Sequence, residues 1–239
     1  MNNNTIALVD ERLDRAAELS LLKCGFHVIR LPASDRLGSA VASHPDMLLF
    51  YYKDRIITSA DYCERAPYVF TDIRELSSSE IIFSDESFDE KYPKDAIFNA
   101  LAVGEWLLCK TDTVSQVLLE YALESGLEPI SVKQGYPACT TLSFGHSAIT
   151  ADRGIAKALT KLGIRVTVIR DGGIELPPYE YGFIGGACGV YRDTVYFIGD
   201  LSTHPDAEAI RSAIEAEGFS VVSLCDGPLR DLGRIIFID

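Results

Sequence analysis

Basic residues are scarce in this chain, with 22 lysines and arginines against 35 aspartates and glutamates and a net charge of −13. A phosphate-backbone partner needs clustered cations, so nucleic acid is excluded as a partner, and an anionic membrane surface is disfavoured. Long hydrophobic runs are missing too: no apolar stretch approaches the ~18 residues of a membrane helix. The opening Met1-Asn-Asn-Asn-Thr is polar and runs straight into an apolar strand, so no signal peptide is expected. Six cysteines (Cys24, Cys63, Cys109, Cys139, Cys188 and Cys225) occur without a C-x-x-C pair. They read as thiols of a cytoplasmic protein rather than as a disulfide framework or a zinc site. Only four histidines are present, and no pair has metal-ligand spacing, so no metal is expected. Gly185-Gly-Ala-Cys-Gly precedes a strand rather than a helix and lacks a following Gly-Lys-Ser/Thr, so it is not a phosphate loop, and no cofactor is expected.

What the chain does have is a recurring unit. An apolar strand ends at an aspartate, an amphipathic helix runs to a glycine, and a second strand begins there. The four copies are IALVD to Gly25, WLLCKTD to Gly126, SAITAD to Gly163 and YFIGD to Gly218. Their aspartates, Asp10, Asp112, Asp152 and Asp200, are placed to cap helices, because a carboxylate accepts from the free N–H groups of a first turn. Apolar stripes follow each of them, for example Ala207, Ile210 and Ile214 after Asp200, as for a helix packed on one face of a sheet. The closing glycines suit the left-handed C-cap. A further strand precedes each aspartate, in Asn99-Ala-Leu-Ala-Val-Gly, Cys139-Thr-Thr-Leu-Ser-Phe-Gly and Gly185-Gly-Ala-Cys-Gly-Val-Tyr. The unit is therefore strand, strand, helix, strand.

Spacing extends this to an architecture. Asp112, Asp152 and Asp200 are 40 and 48 residues apart, Asp10 and Asp112 are 102 apart, and passing through the C-terminus from Asp200 to Asp10 adds 49. Five units closed into a ring account for these intervals. The second, around residues 46–70, is expected to be degenerate, with its helix shortened to about 60–65 and a polar Ser77-Ser-Ser-Glu loop after it. The C-terminal Leu232-Gly-Arg-Ile-Ile-Phe-Ile-Asp is a first strand whose unit is completed by residues 6–31, which removes a sheet edge. The expected fold is thus α/β, a pseudo-fivefold closed ring of ββαβ units in a single domain spanning residues 1–239.

This pattern, clearest in TLSFGHSAITADRGIAKAL and TVYFIGDLSTHPDAEAI, resembles the pentein superfamily of deiminases, amidinotransferases and dimethylarginine hydrolases. The resemblance implies a cysteine thiolate that attacks a guanidinium carbon, a histidine that moves protons, and carboxylates that hold the cation. It puts the histidine near Tyr136-Pro137 and the nucleophile near Asp231-Leu232-Gly233, and this chain has neither residue type there. Tyr136 stands instead as a candidate ligand-binding residue.

Aligning the units on their aspartates sets Asn99 opposite Cys139, each 13 residues before its aspartate, with Cys188 12 before its own. If the first strands line a channel, these three face one another, with Cys139 and Cys188 as candidate nucleophiles and Asn99 as an amide donor. The bland alternative is a small inert hydrophobe for each cysteine. The Gly185-Gly186 pair is expected to let a ligand approach backbone closely. Glu175 and Glu180 flank Leu-Pro-Pro-Tyr in a loop that could cover the channel, and Glu180 and Asp46 are candidates for holding a cationic group. His44 reads as a loop residue beside Asp46. Two functions follow. One is a binder of a small molecule (a cationic or guanidino ligand among the options) or of a partner in the channel, without the usual deiminase chemistry. The other is a cysteine-dependent hydrolase, deiminase or amidinotransferase acting on guanidino or amide C–N bonds through a relocated site.

Overall fold

A computed structural model describes residues 5–239. Five three-stranded sheets share one topology, an antiparallel hairpin whose second strand pairs in parallel with a third beyond a helix. Unit two comprises Leu49–Tyr52, Arg55–Ser59 and Glu80–Ser84, and unit three Leu101–Val103, Trp106–Cys109 and Glu128–Ser131. Unit four comprises Thr141–Phe144, Ser147–Thr150 and Arg165–Val168, and unit five Cys188–Tyr191, Thr194–Phe197 and Ser220–Ser223. Unit one is split between the ends of the chain: Ile236–Ile238 pairs antiparallel with Ile6–Asp10, which pairs in parallel with His27–Leu31. The ring of ββαβ units is therefore the fold, and its last strand closes on its first. Among the described residues no helix is long and apolar enough to cross a membrane.

The helices form for the reasons the sequence suggests. Arg153–Lys161 buries Ile155, Ala156 and Leu159 on one face, and its Asp152 carboxylate accepts from the Ile155 N–H at 2.7 Å. Burying the two large aliphatics contributes about 3–6 kcal/mol, at ~1.5–3 each. Gly25, Gly126, Gly163 and Gly218 end their helices at φ of 92, 84, 80 and 81°. Asp200 caps only the 3₁₀ turn Leu201–Thr203, accepting from Ser202 N–H at 2.9 Å, and the amphipathic helix of its unit starts later, at Ala207. The other two aspartates do not. Asp112 pairs with Lys110 and Asp10 with Arg12, and those helices start later, at Gln116 and Arg15. A nearby cation outcompetes the helix N–H groups for the carboxylate.

Unit two is more complete than its sequence suggests. Its helix runs Ala60–Arg65, breaks at Ala66 because Pro67 follows, and continues over Pro67–Leu76 with Val69, Phe70 and Ile73 buried. The unit reaches its third strand at Glu80.

Around the axis the first strands lie beside one another. Between the sheets and the outer helices sit four apolar clusters, the largest around Phe70, Phe98 and Tyr62. The segments that lead into the first strands converge at one end of the axis.

Candidate functional site

Four of these lead-in segments build the site. His44 opens the short helix Pro45–Leu48, which carries Asp46, ahead of unit two. A 3₁₀ turn at Lys94–Ala96 precedes Asn99 of unit three. The short helix Pro137–Thr140 carries Cys139 into unit four, and Asp231 lies ahead of the last strand. Each segment begins or ends on a turn, so its polar side chains project over the axis rather than into a sheet.

The contacts are tight. The Cys139 thiol donates to Asp46 Oδ2 at 2.9 Å. Asn99 Nδ2 donates to the Asp46 carbonyl and lies 3.2 Å from Cys139 Sγ, while its Oδ1 accepts from the Ala138 N–H at 2.9 Å. Asp231 accepts from Phe183 N–H at 2.8 Å and from Gly233 N–H at 3.1 Å. His44 is wholly buried beside them, its Nδ1 3.9 Å from Asp231 Oδ1 and its Nε2 3.9 Å from Asp10 Oδ2. Both distances exceed a hydrogen bond. Neither ring nitrogen, nor Asp46 Oδ1, has a hydrogen-bond partner among the described residues.

Two glycines make this packing possible. A Cβ on Gly186 would lie 1.9 Å from Asp231 Oδ1, and one on Gly233, at φ 67°, 2.2 Å from the His44 Cβ. The expectation that Gly185-Gly186 admits a ligand to the backbone is corrected: the space is filled by the Asp231 carboxylate and by the backbone of residues 138–141.

Burial dominates the electrostatics. It raises the Asp46 carboxyl to about 6. It raises Asp231 to about 7, with the neighbouring Asp46 charge adding to the effect. Burial also pushes the Cys139 thiol up well above its ordinary value, reinforced by the charge of Asp46. Burial lowers His44 to about 3, against the pull of Asp10, so the imidazole is neutral at pH 7. The cluster thus holds buried acids and a neutral base; of the nearby cations, the Arg12 guanidinium is engaged by Asp10, and Arg234, in a cavity behind Asp46, pulls the Asp46 carboxyl down against burial. Such a place stabilises an incoming positive charge.

Above the cluster opens a cavity of about 420 Å³. Its walls are Tyr136, Tyr179, Tyr181 and Phe183, and its carboxylates are Asp95, Glu180 and Asp231. No lysine or arginine lines it among the described residues. Tyr136 donates to Asp95 Oδ2 at 2.7 Å, which fixes both. Behind Asp46, towards the other end of the axis, lies a second cavity of about 280 Å³ bearing Lys53 and Arg234.

Of the residues singled out from the sequence, Asn99, Cys139, Asp46, Glu180 and Tyr136 surround the cluster or its cavity. Cys188 does not join them. Its thiol donates to the Ile184 carbonyl at 3.1 Å inside an apolar cluster with Leu142 and Phe197, and burial raises it to about 12. Sequence reasoning does not single out His44 or Asp231 as site residues. His44 is two residues from Asp46, a spacing that could have signalled it, and Asp231 occupies the position where the resemblance places a cysteine. The expectation of no metal rests on spacing along the chain; in space, His44, Asp46 and Cys139 offer ligand atoms all within 4.8 Å of one another.

Solved structures show the same architecture. A dimethylarginine dimethylaminohydrolase from Pseudomonas aeruginosa, a cysteine-to-serine mutant complexed with citrulline, is 12% identical with a TM-score of 0.55, over 92% of this chain and 90% of that one. The inosamine-phosphate amidinotransferase of Streptomyces griseus is 14% identical with a TM-score of 0.53, over 90% of this chain and 76% of that one. An amidinotransferase of the saxitoxin biosynthetic pathway from Microseira wollei is 11% identical with a TM-score of 0.53, over 89% and 76%. These likenesses establish the pentein fold. Among curated proteins no match is found. The description of a family of unknown function, DUF6873, matches residues 8–236, and this pentein-fold chain belongs to that family.

Proposed function

We propose that the cavity over Cys139 binds a small organic cation, of guanidinium or ammonium type. One observation carries this: the cavity combines three carboxylates and four aromatic rings with no lining lysine or arginine among the described residues. Aromatic faces attract a cation by about 0.5–2 kcal/mol each, and a carboxylate desolvated beside it adds more. The neighbours act in the same sense, since one is a dimethylarginine hydrolase and two are amidinotransferases. Calorimetric titration with arginine and N-methylated arginines tests it, with citrulline, which keeps the α-ammonium but has an uncharged side chain, as the comparator for the guanidinium. The cations are expected to bind and citrulline to bind at least tenfold more weakly. Equal affinity for both, or affinity unchanged in Glu180→Gln and Asp95→Asn, would overturn the proposal.

A second reading has its own support in the Cys139 thiol, which lies at the cavity floor with Asp46 2.9 Å away to take its proton. In this reading the sulfur forms a bond to the amidinium carbon, the C–N bond breaks, and the amine leaves with a proton. Water or a second amine then displaces the sulfur. Mass spectrometry of protein incubated with an amidinium substrate would reveal an adduct on Cys139, and release of amine without any adduct in rapid-quench samples would count against it.

A further inference from the structure

We propose that His44, Asp46 and Cys139 form a transition-metal site with the donor set of zinc. The three side chains come from two different units of the ring, yet their ligand atoms fall within 4.8 Å of one another. Sulfur, imidazole nitrogen and carboxylate oxygen are the ligand types zinc takes, at about 2.3, 2.0–2.1 and 2.0–2.2 Å. Tetrahedral ligation at those lengths sets donors about 3.3–3.8 Å apart. The Cys139–Asp46 separation is 2.9 Å and the longest separation is 4.8 Å at most. Side-chain rotations that move each donor by about 1 Å therefore bring all three onto one ion.

A second observation points to a ligand. Both His44 nitrogens and Asp46 Oδ1 are buried and without hydrogen-bond partners among the described residues. Native structures rarely leave such atoms orphaned, and a bound ion would satisfy Asp46 Oδ1 and one of the two ring nitrogens. The ring of His44 is also flanked as a metal-binding imidazole is. Nδ1 lies on the Asp231 side and Nε2 on the Asp10 side, so whichever nitrogen ligates, the other faces a carboxylate. Asp10 is itself fixed by Arg12 at 2.6–2.9 Å. Asp46 is held from behind by its N–H to the Gly233 carbonyl, and Asn99 steadies Cys139.

On binding, the sulfur exchanges its proton for the metal and the proton is released to solvent. A fourth coordination position faces the cavity, beside Asp231, which together with His44 and Cys139 lines it. That position is open to water or to a ligand donor atom, the arrangement of a reactive rather than a closed structural zinc. The site does not depend on what the cavity binds. It does constrain Cys139: with the metal in place the thiol is a ligand and not a free nucleophile.

The test uses the full chain, dialysed against chelator, with metal alone and no organic cation. Zn²⁺ titrated against a chromophoric chelator is expected to bind at one equivalent per chain, with a dissociation constant on the order of micromolar or tighter. Co²⁺ is expected to give a thiolate-to-cobalt charge-transfer band. That band should vanish in Cys139→Ser, persist in Cys188→Ser, and weaken at least tenfold in apparent affinity in His44→Gln. Should a variant fail to fold, the wild-type chain still decides the matter, because Zn²⁺ should protect Cys139 from iodoacetamide in peptide mapping while the exposed Cys24 reacts unchanged. Substoichiometric binding, a band that survives Cys139→Ser, or equal alkylation of Cys139 with and without Zn²⁺ would overturn the proposal. Repeating the arginine titration in chelator separates this result from the cation-binding reading.

Discussion

Replacing Gly186 by alanine probes the contact that holds the site together. The added Cβ would lie 1.9 Å from Asp231 Oδ1 and 2.5 Å from its Cγ, far inside van der Waals contact. The structure can respond in two ways. Expelling the carboxylate breaks its bonds from Phe183 N–H and Gly233 N–H, a loss of about 3–6 kcal/mol at ~1.5–3 per bond to a charged acceptor. Shifting the backbone instead carries the usual overpacking penalty of about 1–3 kcal/mol. The cheaper route prevails, so Gly186→Ala is expected to cost about 1–3 kcal/mol, measured as a lower urea midpoint at unchanged m-value. The contact is specific to Asp231, so in an Asp231→Ala background, where Cγ and both oxygens are gone, the same substitution should cost at least about 1 kcal/mol less. An equal cost in both backgrounds would refute the claim that Gly186 exists to admit the Asp231 side chain.

Other expectations concern elements described above. Burial raises Asp95 above the usual carboxylate range, against the bond from Tyr136, so the folded chain holds this proton more tightly than the unfolded one. Stability from this group is therefore full below the unfolded value of ~3.9 and falls as pH rises through the folded one. Asp95→Asn should then raise the melting temperature at pH 7 and leave it near unchanged at about pH 3, and equal loss at both would refute the assignment. Asp152→Ala should cost about 1 kcal/mol by removing a helix cap, whereas Asp112→Ala, exposed and held by Lys110 and the Thr113 hydroxyl rather than by a helix N–H, should cost less. Chemical denaturation of the two variants side by side checks the difference. Phe98→Ala, at a side chain buried in the largest core cluster, should cost about 3–5 kcal/mol and lower the urea midpoint accordingly.

Most of the ring was legible because it is written in local signals. Strand alternation, helical stripes and the closing glycines each act within a dozen residues, and the near-constant spacing carried them to five units. The register that set Asn99 opposite Cys139 is matched by an Nδ2–Sγ separation of 3.2 Å. What local signals miss is competition between neighbours. Asp10 and Asp112 look like caps until Arg12 and Lys110 are seen beside them. The helix expected over about 60–65 does end at Arg65, yet the chain resumes one at Pro67 after a single bent residue. His44 and Asp231 were illegible for a different reason. They lie in irregular lead-in segments, where no periodicity assigns a direction to a side chain, and only closure of the ring carries residues so distant in sequence to 3.9 Å.

That closure also imposes an order of events during synthesis. Ile6–Asp10 emerges early, fully buried in the finished fold, yet one of its edges stays unpaired until Ile236–Ile238 has been made. Until residues 236–238 are made the nascent chain therefore carries an apolar strand with an open ladder, the kind of surface that chaperones cover and aggregates exploit. Asp231 and Gly233 lie just ahead of Ile236–Ile238, so the cluster around His44 is completed only after this distant segment has been made. Folding of this protein should be limited by its most distant contact rather than by any one unit, and a chain that ends before Ile236 loses the antiparallel partner of Ile6–Asp10.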